Sequence, residues 1–183
     1  MMNTNEMIKQ MTGHTDRYLA ELDTLDMHQL AWQASEDDWS LGQMYLHLIH
    51  AALYMQLANV DACLSAAMET DSVQNGKTEV GEKVFSQGSI PPIRIHVPAS
   101  PQYTPPQPES REQIIGGFQA VLQRLKETAP RLESSTSRHH VQHPGFGALN
   151  AREWFALVEM HYRHHFLQQD RLKKALAEHY TTT

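Results

Sequence analysis

The sequence predicts an all-α fold, a four-helix bundle, and three observations carry that expectation. Apolar residues recur at spacings of three and four through four long stretches. Each stretch opens on a polar capping residue followed three positions later by Glu or Gln: Asn3 and Glu6, Ser40 and Gln43, Ser110 and Gln113, Asn150 and Glu153. The two middle stretches are separated by about forty residues rich in Gly, Pro, Ser and Gln, too many for a tight connection.

The first helix is expected over Asn3 to about Ala31, with Met7, Met11, His14, Tyr18, Leu22 and Leu25 on its apolar stripe. The second runs from Ser40 to about Met68, with Trp39 and Met44 placed as a hydrophobic staple. It is apolar almost all round, as suits a central helix or one covered by another subunit. Its faces bearing Leu41, Leu46, Leu48, Ile49, Leu53 and Leu57 suit packing or a subunit contact, so a homodimer is expected. The third begins at Ser110, carries Ile114, Ile115, Phe118, Val121, Leu122 and Leu125 inward, and ends near Pro130. The fourth runs from Asn150 to about His179, with Leu149 and Trp154 as its staple pair. Between the second and third, a Pro-rich loop of about residues 69–108 is expected to be non-helical, because proline removes donors and restricts the residue before it. If the helices it joins run parallel, it must cross the length of the bundle.

A chain of 183 residues fits one domain, 1–183, able to bury a core without staples. The net charge of −6 opposes a nucleic-acid binder held by phosphate contacts, and no basic run offsets it. The lone cysteine, Cys63, excludes an internal disulfide and reads as a small packed side chain. The N-terminus lacks a signal-peptide pattern, and the longest apolar region is interrupted by polar residues. A soluble, cytoplasmic protein with no membrane partner is expected.

Twelve histidines stand out, and their placement decides what they mean. At about 100° per residue, the fourth helix puts Trp154, Leu157, Val158, His161, His165, Gln168, Leu172 and Ala175 on one face. Arg152, Glu159, Arg163, Asp170 and Lys173 fall opposite. His161 and His165 project from successive turns, so two ring nitrogens can converge on one metal ion. Two hydrogen-bonded core histidines are the bland alternative. The second helix places His47 on its smaller, more polar face with Ser40, Gln43, Met44, Ala51, Tyr54 and Ala58, a reasonable lining for a site. His47 facing His161 and His165 would make a three-histidine site with open positions, as expected where a metal binds water or substrate.

Trp39-Ser40-Leu-Gly-Gln-Met-Tyr-Leu-His47-Leu resembles the second-helix motif of the DinB/YfiT-like superfamily, in which a Trp-Ser pair opens a helix and His-Leu follows eight residues after the Trp. His143-Pro144-Gly-Phe-Gly-Ala-Leu149-Asn-Ala-Arg-Glu153-Trp154, followed by His161 and His165-x-x-Gln168, resembles its last helix and the preceding turn. The resemblance spans nearly the whole chain. It implies an up-down-down-up bundle, one divalent metal on His47, His161 and His165, and a dimer. Some relatives are thiol-dependent S-transferases or isomerases, and many have no assigned activity. Gln43 stands where many members carry Glu, which removes a carboxylate from that position.

The remaining histidines read differently. His50 and His164 flank the inward face as pocket-wall or helix-contact residues, and His14 reads as a satisfied core or pocket histidine. His139, His140 and His143 lie in a Ser- and Gly-rich segment and are expected to be exposed; His28, His96 and His179 have no context that singles them out. Gln168, one turn beyond His165, is placed either to hold a ligand's second nitrogen or a bound water, or to point past the site toward the bundle's end. Two functions follow. One is an enzyme using a Zn, Ni or Fe ion, with a low-molecular-weight thiol as co-substrate, as an S-transferase or hydrolase acting on small electrophiles. The other is a metal-binding, stress-response bundle without turnover.

Overall fold

The computed structural model describes residues 3–65, 76–93 and 104–182. Helix α1 (Thr4–Leu22) is followed by the short α2 (Met27–Ala31). A second rod is built from α3 (Leu41–His50), a π-helical segment (Ala51–Gln56) and α4 (Leu57–Ser65). A short α5 (Glu79–Gln87) precedes the long α6 (Arg111–Ser134). The hairpin β1 (His140–His143) and β2 (Gly147–Asn150) then leads into α7 (Ala151–Thr182).

Side-chain pairings fix the directions of the four rods. Thr4 meets Glu133 and Asp23 meets Arg111, so α1 and α6 run antiparallel. His14 meets Glu159 and Glu21 meets Lys173, so α1 and α7 run parallel. Tyr45 meets Gln169 and Cys63 meets the Leu149 carbonyl, so the second rod opposes α7. The order is therefore up-down-down-up, and a long connection must carry the chain between the second rod and α6. Tyr18, Leu22, Met44, Tyr45, Phe118, Val121, Trp154 and Val158 are fully buried at the centre.

Two capping boxes form as the sequence expects. The Ser40 hydroxyl and the Gln43 side chain exchange bonds with each other's backbone N–H groups, and Asn150 and Glu153 do the same. At Ser110 the box is offset by one residue, because Gln113 Oε1 accepts from the Glu109 N–H instead.

Several expectations are corrected. The first helix stops at Leu22, because Asp26 captures the Gln29 N–H and starts a new capped helix. α6 continues through Pro130 to Ser134; proline there removes one bond of the last turn, while buried Ala129 and Leu132 keep that turn on the core. α5 lies inside the span expected to be a loop. Thr78 caps it, Val84 buries, and Gly88 ends it in the left-handed region at φ 62°. The hairpin was not expected either. The expected end of the second helix near Met68, and His96, lie outside the described residues.

Glu159, expected on the outer side of the fourth helix, is 2% exposed because α7 is covered by α1 as well as by the second rod. Burial alone would raise its pKa, but hydrogen bonds from His14 and Arg163 outweigh that and hold it below the ordinary value. Leu41, Leu46, Leu48, Ile49 and Leu57 are buried within the chain itself. The apolar excess of the second helix is thus taken up by its own bundle, and it no longer argues for a second subunit.

Gly42 marks a close approach of α3 to the segment before α6 and to the end of α2. A Cβ there would lie 2.5 Å from Pro108 Cγ and 2.9 Å from the Leu30 carbonyl oxygen. Gly42→Ala is expected to cost about 1–3 kcal/mol through overpacking, read as a lowered urea midpoint. An unchanged midpoint would show that the segment at Pro108 is free to move aside.

Candidate metal centre

His47 stands near the end of α3, and His161 and His165 stand one turn apart on α7. The antiparallel contact of these rods brings the three rings together. His47 Nε2 lies 3.2 Å from His161 Nε2, and His165 Nε2 lies 3.0 Å from the same atom. One ligand atom from each ring falls within 4.8 Å of the others, so the group could hold a metal ion.

The donor set can be tested without reference to any ion. An sp² ring nitrogen has one in-plane site, occupied by either a proton or a lone pair. His161 Nε2 has two close nitrogen neighbours and can form a linear hydrogen bond with only one of them. The cluster therefore cannot satisfy itself, whereas a single cation accepts all three lone pairs. The spacing also fits: with metal–nitrogen bonds of roughly 2.0–2.1 Å, two ligands are separated by about 2.9 Å at a right angle and about 3.3 Å at a tetrahedral one.

Protonation favours the same use. Gln168 Oε1 is 2.7 Å from His165 Nδ1, and a carboxamide oxygen only accepts, so Nδ1 carries the proton and Nε2 keeps its lone pair. Burial, with the neighbouring His50, pushes His47 down to about 4. Burial, with His47 beside it, pushes His165 down to about 3. His161 is held well below its ordinary value by burial and by its two partners. All three rings are thus in the neutral, coordinating form near pH 7.

The three ligand candidates share one wall of a cavity of about 490 Å³, within the range of small-molecule pockets. Trp39, Met55, Ile90, Ile93, Phe146, Leu157 and Leu167 make it largely apolar. His164 and Gln168 line it as expected. His14 does not, being bonded to Glu159, and neither does His50, whose ring lies 5.5 Å from Tyr54.

Gln43, Tyr54 and Ala58, expected to line the site, are elsewhere. Gln43 is 5% exposed and spends its carboxamide on the helix cap and on the Pro105 carbonyl, 2.8 Å away. Tyr54 is 74% exposed, and Ala58 also faces outward. The π-helical segment explains this. Its i→i+5 turns hold more residues than α turns, so the register slips by about one residue after His50. Met55 and Gln56 take the place on the cavity wall that an unbroken α-helix would give Tyr54 and its neighbours.

The sequence reading also missed His143. Expected in an exposed segment, it is half-buried on the cavity wall, and its ring stacks on Phe146 at 4.3 Å and 11°. The usable signal was its place just before a Gly-x-Gly turn leading to buried Trp154. Gln56 was missed as well: its Oε1 is buried beside the cavity with no hydrogen-bond partner among the described residues.

The comparisons with known proteins bear on the family and the fold. The family model described as the DinB superfamily matches residues 10–168. A solved structure titled "Crystal structure of TT2238, a four-helix bundle protein" superposes with a TM-score of 0.53 at 14% identity, covering 92% of this chain and 98% of that one, which speaks for the fold alone. No curated protein matches the chain.

Single Ala replacements of His47, His161 or His165 are expected to remove about one equivalent of divalent ion per chain, measured by mass spectrometry, while the bundle stays folded. His50→Ala and His164→Ala should keep it; loss of metal in either would mean that the wrong imidazoles have been chosen. Gln168→Leu should weaken the ion roughly 10–100-fold without changing the saturated stoichiometry.

Acid gives a further test. The folded-state values of His47 and His165 lie below the ordinary 6.5, so below that pH the unfolded chain binds more protons than the folded one. Stability of the metal-free protein should be whole above about 6.5 and fall as pH drops through 4 toward 3. The three Ala variants should show a shallower loss over that window in urea titrations at successive pH values.

Proposed function

We propose, from the chain's membership of the DinB superfamily, that it is a divalent-metal-dependent enzyme acting on small, largely apolar electrophiles, with a low-molecular-weight thiol as co-substrate. The observation that carries this reading is the convergence of three neutral imidazoles on the wall of a cavity large enough for such a substrate. A cation on three neutral ligands keeps its full charge and supplies a Lewis acid that makes a sulfur or oxygen nucleophile available near neutral pH. Zinc, nickel and iron all suit imidazole donors.

The chain's own groups favour this over protein acid–base chemistry. Among the described residues, the carboxylates beside the cavity are Asp37, which is exposed, and Asp38, which holds Arg171 at 3.2 Å. Neither is presented as a general base. Trp39 covers one side of His47 at a centroid distance of 4.9 Å and Leu157 lines the same cavity, so the rings are shielded and substrate binding displaces water from apolar surface. In the transfer, the thiol gives up its proton to solvent and its sulfur forms a bond to carbon; the electrophile's leaving group departs with the bonding pair, or its strained or activated bond opens and the released atom takes up a proton.

The test begins with protein purified without a nickel column. It is loaded with zinc, nickel or iron and incubated with a small thiol and a panel of alkyl halides, epoxides and enones. Adduct formation that His161→Ala and a chelator abolish is the expected result. Thiol loss no faster than in the chelated control, across every metal, would sink the transferase reading and leave a metal-binding bundle without turnover.

A further inference from the structure

His143 is the last residue of β1 and pairs with Gly147 across the hairpin turn. Its Nδ1 accepts from the backbone N–H of Gly145 at 3.0 Å and of Phe146 at 3.1 Å. Both partners are pure donors, so Nδ1 holds the lone pair and the ring proton sits on Nε2. The tautomer is set by the turn itself. Phe146 covers one face of the ring, and Trp154 lies 5.3 Å away. Nε2 has no hydrogen-bond partner among the described residues and is not sealed from solvent. His143 lines the cavity, and with Nδ1 engaged by the turn, Nε2–H is the ring donor it has left to offer there.

The mount is rigid. Gly147 takes φ 78°, and a Cβ there would meet the Gly76 carbonyl oxygen and the Thr78 nitrogen at 2.7 Å each. Thr78 N–H donates to the Phe146 carbonyl at 2.9 Å, and the Thr78 hydroxyl donates to the Gly145 carbonyl at 2.9 Å. The turn that fixes the tautomer is therefore held against residues 76–78 by its backbone. A fixed donor on the same cavity as a cation-binding cluster is placed to meet negative charge developing on a reacting group.

We propose that His143 contacts the substrate, donating its Nε2–H to an oxygen of the electrophile, and so selects molecules whose reacting group carries a carbonyl or comparable oxygen acceptor. What this contact achieves chemically rests on the metal-dependent reading above; the contact itself does not.

The test uses the zinc-loaded full chain and two probes of similar size, acetophenone, which has a carbonyl oxygen, and ethylbenzene, which lacks one. Binding is followed by NMR titration, and zinc content is measured alongside. Wild type should prefer acetophenone roughly three- to tenfold, as one neutral hydrogen bond allows. His143→Asn keeps an acceptor oxygen for the turn but removes the Nε2 donor, and should lose the preference while keeping its melting temperature and its zinc. His143→Gln restores a donor near the Nε2 position and should recover part of it. A merely structural His143 would leave the preference of the Asn variant unchanged. That result overturns the proposal, as does equal or absent binding of both probes to wild type, or a long-range ¹H–¹⁵N spectrum placing the proton on Nδ1. A preference that survives in His143→Asn but disappears on chelation assigns the selectivity to the metal and overturns it too. Loss of zinc from wild type would instead count against the three-histidine centre, without touching the comparison of probes.

Discussion

Three ring nitrogens that meet inside a bundle and cannot satisfy one another impose a demand on the helices that carry them. Left free, the imidazoles would turn apart toward water, since buried polar atoms without partners cost free energy. The packing around them prevents this. Tyr18, Tyr45, Phe118 and Tyr162 form an aromatic core in which Tyr18 stacks on Phe118 at 5.7 Å and Tyr45 meets Phe118 edge-on at 5.9 Å. Each such contact contributes about 0.5–1.5 kcal/mol beyond area burial. Polar pins finish the lock: the Tyr18 hydroxyl donates to the Tyr162 carbonyl at 2.6 Å, and Gln169 donates to the Tyr45 hydroxyl at 3.2 Å. The rods bearing His47 and His161 are thus fixed by residues that belong to the core whether or not an ion is present.

Much of this was legible in the sequence because it is local or periodic. Capping pairs sit three residues apart, and the four-residue step from His161 to His165 survives any small error in helix boundaries. His47 could be matched to them because it stands only seven residues past its capping residue Ser40, before the helix changes its period. Beyond it, nothing in Ala-Ala-Leu-Tyr-Met-Gln marks a π-helical turn; there is no Gly or Pro, and the residues are good helix formers. A wheel drawn with one period therefore assigned Tyr54 to the cavity and left Gln56 out.

The other misreadings share a different cause, which is dependence on distant chain. His143 looks exposed in a window of Ser and Gly. It is covered because Trp154 and Phe146 lie against it and because residues 76–78, nearly seventy positions earlier, bind the hairpin's far side. Glu159 looks like a solvated charge on a helix wheel. Its burial depends on His14, which arrives from α1 at 2.9 Å, and on Arg163 one turn along. Arg163 follows from helical period, but His14 does not, because that contact requires knowing that α1 lies beside α7.

Glu159 also shows how the cavity is held together. It orients Arg163, with Nε 2.8 Å from the carboxylate, and the same guanidinium donates to the Gly88 carbonyl at 2.7 Å. Gly88 ends α5 and begins the short run through Ile90, Pro92 and Ile93 that forms part of the apolar wall. One helix, α7, therefore supplies two of the three ring donors, the Gln168 oxygen that sets the His165 tautomer, and the arginine that ties the opposing wall to its own backbone. Wall and donors are referenced to a single rigid element. The separation of wall and donors is set by α7, and the entropy of ordering the wall is met when the chain folds.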